Sequence, residues 1–492
     1  MLSFILFNWY GLYLQRLSAV MNKKIEISKY IISDFFTSAF VWILFYFFRK
    51  RFIEYPFKTD WVEIIGDDRI WLGAFIVTVG WIALNASLGL YSNVFRKSRL
   101  KETGVVFLSC TIGALFLFFA LVLDDVNYSY TSYYKSILFI FSAQLFLNGL
   151  FRFLITSRTA KNIHNRVIGF PTLIIGSNER ALNLFTELEG AKKSAGYKII
   201  GFVNLIDGED DFILSKHTKY LGCVTEIEKI ITDNNINEII IAIESKEREA
   251  IQLLMMQLQD FNVSVKIIPD MYNILTGQVK MNSILHAALI EVSFGTLPVW
   301  QKTIKKFIDI FVSGMVLLLG SPFYIIVAIL VKFSSKGPVF FRQERIGKKG
   351  IPFNIIKFRS MYLDSEKDGP ALSKSQDIRI TAIGLFIRKT RIDETPQFYN
   401  VLKGDMSLVG PRPERQFFID QIMKTDPQYK YLHRVKPGIT SWGQVKYGYA
   451  ENVDEMIERL KFDLIYMENM SLLIDFKIII HTILVVFQGR GK

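Results

Sequence analysis

Four apolar runs in the first third of the chain constrain its fold more than any other feature: roughly Ile27 to Phe48, Ile70 to Tyr91, Val105 to Leu123 and Tyr134 to Ile155. Each approaches the ~20 residues that a helix needs to cross ~30 Å of hydrocarbon, so the runs predict four transmembrane helices. Core helices of a soluble domain are the alternative, but four such runs with almost no internal charge fit lipid better. Asp34 and Asn85 are the polar exceptions. The composition agrees, because 50% hydrophobic and 14% aromatic residues in a chain of 492 exceed what a soluble protein needs.

Lysine and arginine set the orientation. The segment RKSRLK at 96–101 and the cluster Arg152, Arg158, Lys161 and Arg166 are basic, whereas the loop DDVNYSYTSYY from Asp124 carries no lysine or arginine. By the positive-inside rule both ends of the four-helix unit face the cytoplasm, although Arg49, Lys50 and Arg51 argue the other way. The leader Met1 to Val20 is apolar and lacks a small-residue cleavage motif, so it does not read as a signal peptide, and Met21, followed by Lys23 and Lys24, is a second candidate start. A net charge of +13 suits an anionic partner: a membrane surface, a nucleic acid or a phosphorylated substrate. With Cys110 and Cys223 the only cysteines, there is no disulfide framework and no CxxC metal site.

From Phe170 the pattern changes to alternating strand and helix. PTLIIGSNERALNLFTEL reads as strand, turn and helix; YKIIGFVN, NEIIIAIES and VSVKIIPD read as further strands, with Val224 to Asn234 helical between them. This is a Rossmann-like arrangement, but a dinucleotide site needs G-x-G-x-x-G after the first strand, and only Gly176 of GSNERA is present. A structural or regulatory domain is the expectation.

Val299 to Pro338 follows, with an apolar middle, Phe307 to Phe333, interrupted by Gly320, Ser321 and Pro322. Proline removes a backbone donor and clashes with the preceding turn, so a bend is expected at Ser321 and Pro322. Each arm is then about 20 Å long, too short to cross alone. A full crossing would also put two lysine- and arginine-rich domains on opposite sides. A re-entrant helix hairpin satisfies both arguments, and a kinked full span is the alternative.

Downstream, the stretch RKTRIDETPQFYNVLKGDMSLVGPRP, Arg388 to Pro413, brackets the adjacent acids Asp393 and Glu394 with Arg388, Lys389, Arg391 and Arg412. The SP break, GPVFFRQERIGKKG, FNIIKFRSM, RIDETPQFYNVLKGDMSLVGPRPE, RVKPGITSWGQV and KFDLIYMENMSLLIDFKII together resemble the bacterial sugar transferase family, the polyprenyl-phosphate hexose-1-phosphate transferases, over nearly all of Thr303 to the C-terminus. The upstream helices and Rossmann-like domain are similar to the large-form members, which initiate exopolysaccharide, capsule or O-antigen assembly. Ser441 and Gly443 depart from the family's usual GITGWAQ.

The resemblance implies an enzyme that moves a sugar 1-phosphate from a UDP-sugar to undecaprenyl phosphate by a ping-pong route, leaving a lipid diphosphate sugar and UMP. It assigns Asp393 as nucleophile, Glu394 as Mg²⁺ ligand, and Lys357, Arg359, Arg388 and Arg412 as phosphate contacts, with Asp405 as a group that binds or orients them. Such chemistry needs charge neutralisation before a carboxylate can approach a phosphoanhydride. UDP-glucose or UDP-galactose is suggested by the large-form resemblance alone. A non-catalytic membrane scaffold or regulator that binds polyprenyl phosphate or nucleotide sugar is the rival reading, against which the intact acid pair argues. As bare residues, adjacent acids at a helix start are ordinarily caps and dipole partners. Lys348, Lys349 and Lys367 read as a solvated or headgroup-facing surface and His433 as structural. The run Leu472 to Phe487 carries Asp475, Lys477 and His481, too polar to span, and suits the membrane interface.

The expected architecture is thus a membrane protein with a leader (1–24), a four-helix transmembrane domain (25–156), a Rossmann-like α/β domain (157–298), a re-entrant membrane helix (299–336) and a mostly α-helical α/β catalytic domain at the interface (337–492). Its expected setting is the bacterial inner membrane with the catalytic domain on the cytoplasmic face. Lipid, UDP-sugar and undecaprenyl phosphate are the expected partners, a homodimer is plausible on size, and nucleic acid is not expected.

Overall fold

The structure is a computed structural model that describes residues 23–54, 66–122, 130–205, 212–243, 248–258, 261, 263–269, 289–292, 297–363, 377–448 and 450–487. The leader with Met21, the loop residues from Asp124 to Ser129, and Lys367 lie outside the described residues. The chain divides into two compact units, residues 1–251 with 262–292, and residues 252–261 with 293–492. Five described helices are long and apolar enough to cross a membrane, and with the α/β sheet they make this a membrane protein carrying an α/β domain.

In the first unit, four such helices are α1 (Lys23–Arg49), α2 (Asp68–Ser87), α3 (Arg99–Val122) and α4 (Tyr130–His164). Each contributes one residue to a shared apolar centre of Phe45, Trp81, Ala114 and Ile140. The helix α4 runs to His164 rather than stopping near Ile155, because Thr156 and Thr159 are buried and keep a polar stretch packed inward. Conversely α2 ends at Ser87, short of Tyr91, where Gly89 turns the chain at φ +79°.

A charged cluster inside this bundle corrects the sequence reading. Arg152, counted above with the basic flank, is instead 1% exposed. Its Nε donates to Asp34 at 2.9 Å and its Nη1 to Glu102 at 3.2 Å. Asp34 also accepts from Asn85 at 2.9 Å and Tyr91 at 2.6 Å, while Lys97 bonds Glu102 at 2.8 Å. Charges this far from water persist only when paired and hydrogen-bonded, and here the pairing ties all four helices together. The polar exceptions Asp34 and Asn85 are therefore two parts of one network.

The same unit holds a six-stranded sheet in the order β3-β2-β1-β4-β5-β6, from β1 (Phe170–Ile175), β2 (Tyr197–Asn204), β3 (Tyr220–Cys223), β4 (Glu238–Ile241), β5 (Ser264–Ile267) and β6 (Ile290–Val292). The first five strands pair in parallel, and β6 is antiparallel to β5. Strands buried on both faces read as continuous Ile and Val runs, as TLII and EIII do. Helices α5 (Glu179–Gly190) and α6 (Ile227–Asp233) connect them; α7 (Arg248–Leu258) follows β4. Gly176, the remnant of a dinucleotide motif, has a plain steric duty: at φ +110°, a Cβ there would lie 2.8 Å from the Ala242 carbonyl. Arg96, in the turn after α2, meets Glu238 and lies 4.3 Å over the Phe170 ring, joining bundle to sheet.

The second unit contains α8 (Val299–Ser334), helical throughout its length with Pro322 inside it. Proline leaves the carbonyl four residues earlier, that of Leu318, without its helical donor. The Ser321 hydroxyl donates to that oxygen at 2.8 Å, which satisfies it without water. Both arms of α8 pack on the same unit. On the N-terminal arm, Asp309 accepts from Ser407 at 2.8 Å and from the Leu408 amide at 3.1 Å, and Lys305 bonds Asp475 at 2.5 Å. On the C-terminal arm, Val327 and Val331 pack with Phe358 and Ile387. Between them Leu318 and Leu319 are 74% and 69% exposed.

The remainder is a hairpin of β7 (Phe340–Ile346) and β8 (Pro352–Phe358), a short parallel pair of β9 (Ser407–Val409) and β10 (Gly438–Thr440), and helices α9 (Ala382–Lys389), α10 (Gln397–Lys403), α11 (Gln416–Thr425), α12 (Trp442–Lys446), α13 (Val453–Glu468) and α14 (Leu472–Phe487). On α14, Leu473, Phe476, Ile480, Ile483 and Leu484 form an exposed apolar face at helical spacing, while Asp475 turns inward to Tyr466 at 2.7 Å.

Candidate active site

Local chain chemistry brings the acid pair to a sharp turn. Thr381 caps α9, its hydroxyl accepting from the Gly384 amide at 2.9 Å. The helix ends at Lys389, and Arg391 then adopts φ +58°, a left-handed conformation uncommon for a side chain larger than glycine. That reversal starts a single 3-10 turn, Ile392–Glu394, before Pro396 begins α10. Pro396 stands at the N-cap without a side-chain hydrogen bond, so neither acid serves there as a cap. Asp393 and Glu394 are 8% and 6% exposed.

The two acids have opposite surroundings. Glu394 accepts from Lys357 at 2.9 Å, from Arg391 at 3.4 Å, and lies 3.6 Å from Arg412. Burial alone would raise its pKa, but Lys357, Arg412 and Arg391 together hold it well below the usual carboxylate range. Asp393 goes the other way. Burial, and then the charge of Glu394, push it up to about 6, against the opposing pull of Lys357, Arg388 and Arg391. Burial also lowers Lys357, which Glu394 offsets.

Of the residues picked out from sequence, Lys357, Arg388 and Arg412 gather at the acid pair. Arg359 does not. Strand β8 ends at Phe358, so Arg359 escapes the alternation that would put it on the face of Lys357. Its guanidinium instead donates to the carbonyls of Val331 at 3.3 Å, Ser335 at 2.6 Å and Lys336 at 3.2 Å, closing the C-terminal end of α8. Asp405 sits beyond α10, bonded to Lys403 at 3.0 Å. Ser321 and Pro322 belong to α8, whose Tyr324 packs in the same apolar cluster as Ile392 of the turn. The Tyr324 ring folds back over Gly320, where a Cβ would lie 2.6 Å from it.

Sequence reasoning missed a second carboxylate. Glu414 accepts from Arg345 at 2.9 Å and Arg459 at 2.6 Å and lies 3.8 Å from Arg412. Burial opposes its ionisation, but Arg459, Arg345 and Arg412 keep it below its usual value. Arg412 is thus held between Glu394 and Glu414. Its place two residues after Arg412 in GPRPE was the available signal; Arg345 and Arg459 are too distant in sequence to have given one.

Residues 300–489 match the bacterial sugar transferase family, and residues 86–269 match a family described as a CoA-binding domain. The chain is 38% identical over 183 residues to a UDP-glucose:undecaprenyl-phosphate glucose-1-phosphate transferase of Caulobacter vibrioides, covering 36% of this chain and 68% of that protein. The chain belongs to the bacterial sugar transferase family. As a member of it, the chain is also 42% identical over 233 residues to a UDP-N-acetylgalactosamine-undecaprenyl-phosphate N-acetylgalactosaminephosphotransferase of Aeromonas hydrophila, spanning 47% of this chain and only 54% of that relative's length. An undecaprenyl-phosphate galactose phosphotransferase of Salmonella typhimurium is 28% identical over 439 residues, 85% of this chain and 86% of its own. The acid pair lies inside the 300–489 segment that matches the bacterial sugar transferase family.

Proposed function

We propose that this bacterial sugar transferase moves a sugar 1-phosphate from a UDP-sugar to undecaprenyl phosphate, yielding undecaprenyl-diphosphate-sugar and UMP, as the first membrane step of exopolysaccharide, capsule or O-antigen assembly. The observation that carries the reading is the inequality of the two acids. Glu394 is engaged by three cations, whereas no described side chain hydrogen-bonds Asp393. An uncommitted carboxylate beside a cluster of fixed cations is the arrangement a nucleophile toward phosphorus needs.

In this reading an Asp393 oxygen attacks the phosphorus next to the sugar, and the bond from that phosphorus to the bridging oxygen breaks as UMP leaves with the electron pair. An oxygen of the lipid phosphate then attacks the same phosphorus, and the Asp393 carboxylate is released. Arg412 and Lys357 hold phosphate oxygens, and Glu414 keeps Arg412 aimed. Among the described residues no three His, Cys, Asp or Glu gather as a metal cage. Mg²⁺ typically takes one or two carboxylates plus substrate phosphates, and Glu394 is the carboxylate held ionised here. Glu394 would hold it, and the ion would neutralise the diphosphate.

The setting follows from α8. Its packed residues Val312 and Tyr324 leave about eleven residues between them, ~16 Å of helix, about half of what one crossing needs. That supports a re-entrant hairpin whose exposed apolar middle enters one leaflet and returns to the cytoplasmic face of the inner membrane, with the apolar face of α14 lying alongside. The test is UMP release from a panel of UDP-sugars without lipid acceptor. The expected result is a burst limited by the number of sites, with label from the sugar phosphate on Asp393 that adding undecaprenyl phosphate removes. No acceptor-independent release with any UDP-sugar would overturn the covalent route, and no transfer to lipid at all would favour the scaffold.

A further inference from the structure

Asp309 is the only acid in α8, and it stands in an apolar stretch whose neighbouring side chains Ile308, Ile310 and Phe311 are exposed. A carboxylate on such a helix is expensive and persists where it is bonded. Both of its oxygens are. Oδ2 accepts from the Ser407 hydroxyl at 2.8 Å and Oδ1 from the Leu408 amide at 3.1 Å. Lys305, one turn earlier on the same face, donates to the Val409 carbonyl at 2.9 Å. One face of α8 thus holds three consecutive residues, the whole of β9.

Strand β9 leads directly to Arg412, and the chain between them has little freedom. Ser407 pairs with Gly438 of β10 and Val409 with Thr440. Past the strand, the Gly410 amide donates to the Thr440 carbonyl at 3.1 Å, and the Gly438 amide donates to the Pro411 carbonyl at 2.9 Å. The two segments run so close that a Cβ at Gly410 would lie 2.4 Å from the Lys436 carbonyl oxygen. Pro411 and Pro413 flank Arg412 with fixed φ, and the Pro413 carbonyl accepts from Arg345 at 3.2 Å. A shift of β9 is therefore passed on to Arg412, with no flexible turn to absorb it. The Arg412 guanidinium lies 3.6 Å from Glu394 and 3.8 Å from Glu414. A displacement of about 1 Å is enough to spoil the alignment of a reacting group.

We propose that Asp309 is a positioning residue for the transfer reaction: by fixing β9 it sets where Arg412 presents its guanidinium to the diphosphate of the nucleotide sugar. The inference rests on the reading of Arg412 as a phosphate contact. Asp309 itself touches no reacting atom, and its effect on substrate passes through β9 and Arg412. The helix α8 is then part of the frame of the active site as well as its anchor.

The experiment is a double-mutant cycle on the full chain in detergent, with UDP binding in the presence of Mg²⁺ read by calorimetry. Arg412→Ala should weaken UDP by about tenfold or more, and Asp309→Ala by about fivefold. Asp309→Asn should bind UDP within about twofold of wild type, because its amide can still accept from the Leu408 amide and donate to the Ser407 oxygen. In the double variant, Asp309→Ala should add less than about twofold to the loss from Arg412→Ala, since a residue that acts through Arg412 has nothing left to position. A merely structural role would weaken binding in both backgrounds alike. Size-exclusion behaviour equal to wild type identifies a folded variant; should Asp309→Ala fail it, Ser407→Ala, which removes one of the two bonds from the strand side, takes its place in the cycle. UDP binding by Asp309→Ala equal to wild type, losses that multiply in the double variant, or an asparagine variant as weak as the alanine one would each overturn the proposal while leaving the role of Arg412 intact. Wild-type UDP binding by Arg412→Ala alone would instead overturn the reading of Arg412, and the inference with it.

Discussion

Replacing Asp393 with asparagine should make the protein more stable while abolishing its chemistry. The carboxylate is raised from an ordinary 3.8 to about 6 by burial and by the neighbouring charge of Glu394. A difference of about two pKa units corresponds to roughly 3 kcal/mol held against the folded state at neutral pH. The sign follows from proton counting. Between pH 3.8 and about 6 the folded chain binds the Asp393 proton more tightly than the unfolded chain, so wild-type stability falls as pH rises through that window and is level above it. The amide of the Asp393→Asn variant carries no such charge. The variant's advantage should be absent near pH 4, open between pH 4 and 6, and be full at pH 7.5. For a unit of this size it amounts to roughly 5–10 °C at most in melting temperature. Thermal unfolding of the two proteins in detergent, read by limited proteolysis of the C-terminal unit at four pH values, checks this. The wild-type UMP burst should weaken as pH falls below about 6, where Asp393 takes up its proton, and should be missing from the variant at every pH. A variant less stable than wild type at pH 7.5, or a stability gap that ignores pH, would refute the assignment of Asp393 as the strained acid.

Glu394→Gln should lose most activity and, unlike the Asp393 change, lose stability on the order of 2 kcal/mol, because three cations lose their buried anion; chemical denaturation alongside UMP release measures both. If Glu394 holds Mg²⁺ with the diphosphate, calorimetry should detect tight Mg²⁺ binding in the presence of UDP and little without it, and activity that survives EDTA would count against the role. Arg359→Met should cost about 2–3 kcal/mol by orphaning carbonyls at the end of α8, yet leave the KM for UDP-sugar within about twofold, since that guanidinium faces backbone and not the acid pair. For topology, Lys336→Cys and Lys161→Cys are both exposed positions and should both resist a membrane-impermeant thiol reagent in intact cells. Gly337 is unsuited to that experiment, because at φ +134° its Cβ would lie 2.0 Å from Arg359. Labelling at Lys336→Cys alone would mean that α8 crosses.

What could be read from sequence was whatever depends on neighbours along the chain. The strand at Tyr197–Asn204 and the helix at Leu472–Phe487 coincide with the segments expected, since each signal is a local periodicity bounded by turn residues. The run of motifs was enough to identify the family because its residues recur in fixed order. Pairing across the chain was not legible. Arg152 and Asp34 are 118 residues apart, and a lone arginine near a helix end reads as a flank whether or not an acid waits inside the bundle. Arg359 stood among the phosphate contacts on the resemblance alone, and nothing adjacent in sequence marks that its guanidinium turns to the carbonyls at the end of α8.

The acid pair shows why adjacency in sequence is a poor guide to chemistry. Asp393 and Glu394 are consecutive, both buried, and both reachable by the same cations, yet one is pushed toward protonation and the other held ionised. After the left-handed Arg391 and the tight turn behind it, Lys357, Arg391 and Arg412 converge on one carboxylate. Four cations, Lys357, Arg388, Arg391 and Arg412, lie around the two acids, and Glu414 holds Arg412 from its other side. In the proposed reaction a bound diphosphate would compete with Glu394 for these cations. On the proposed mechanism, binding energy from the diphosphate would lower the barrier, with Glu394 holding the cations in place beforehand.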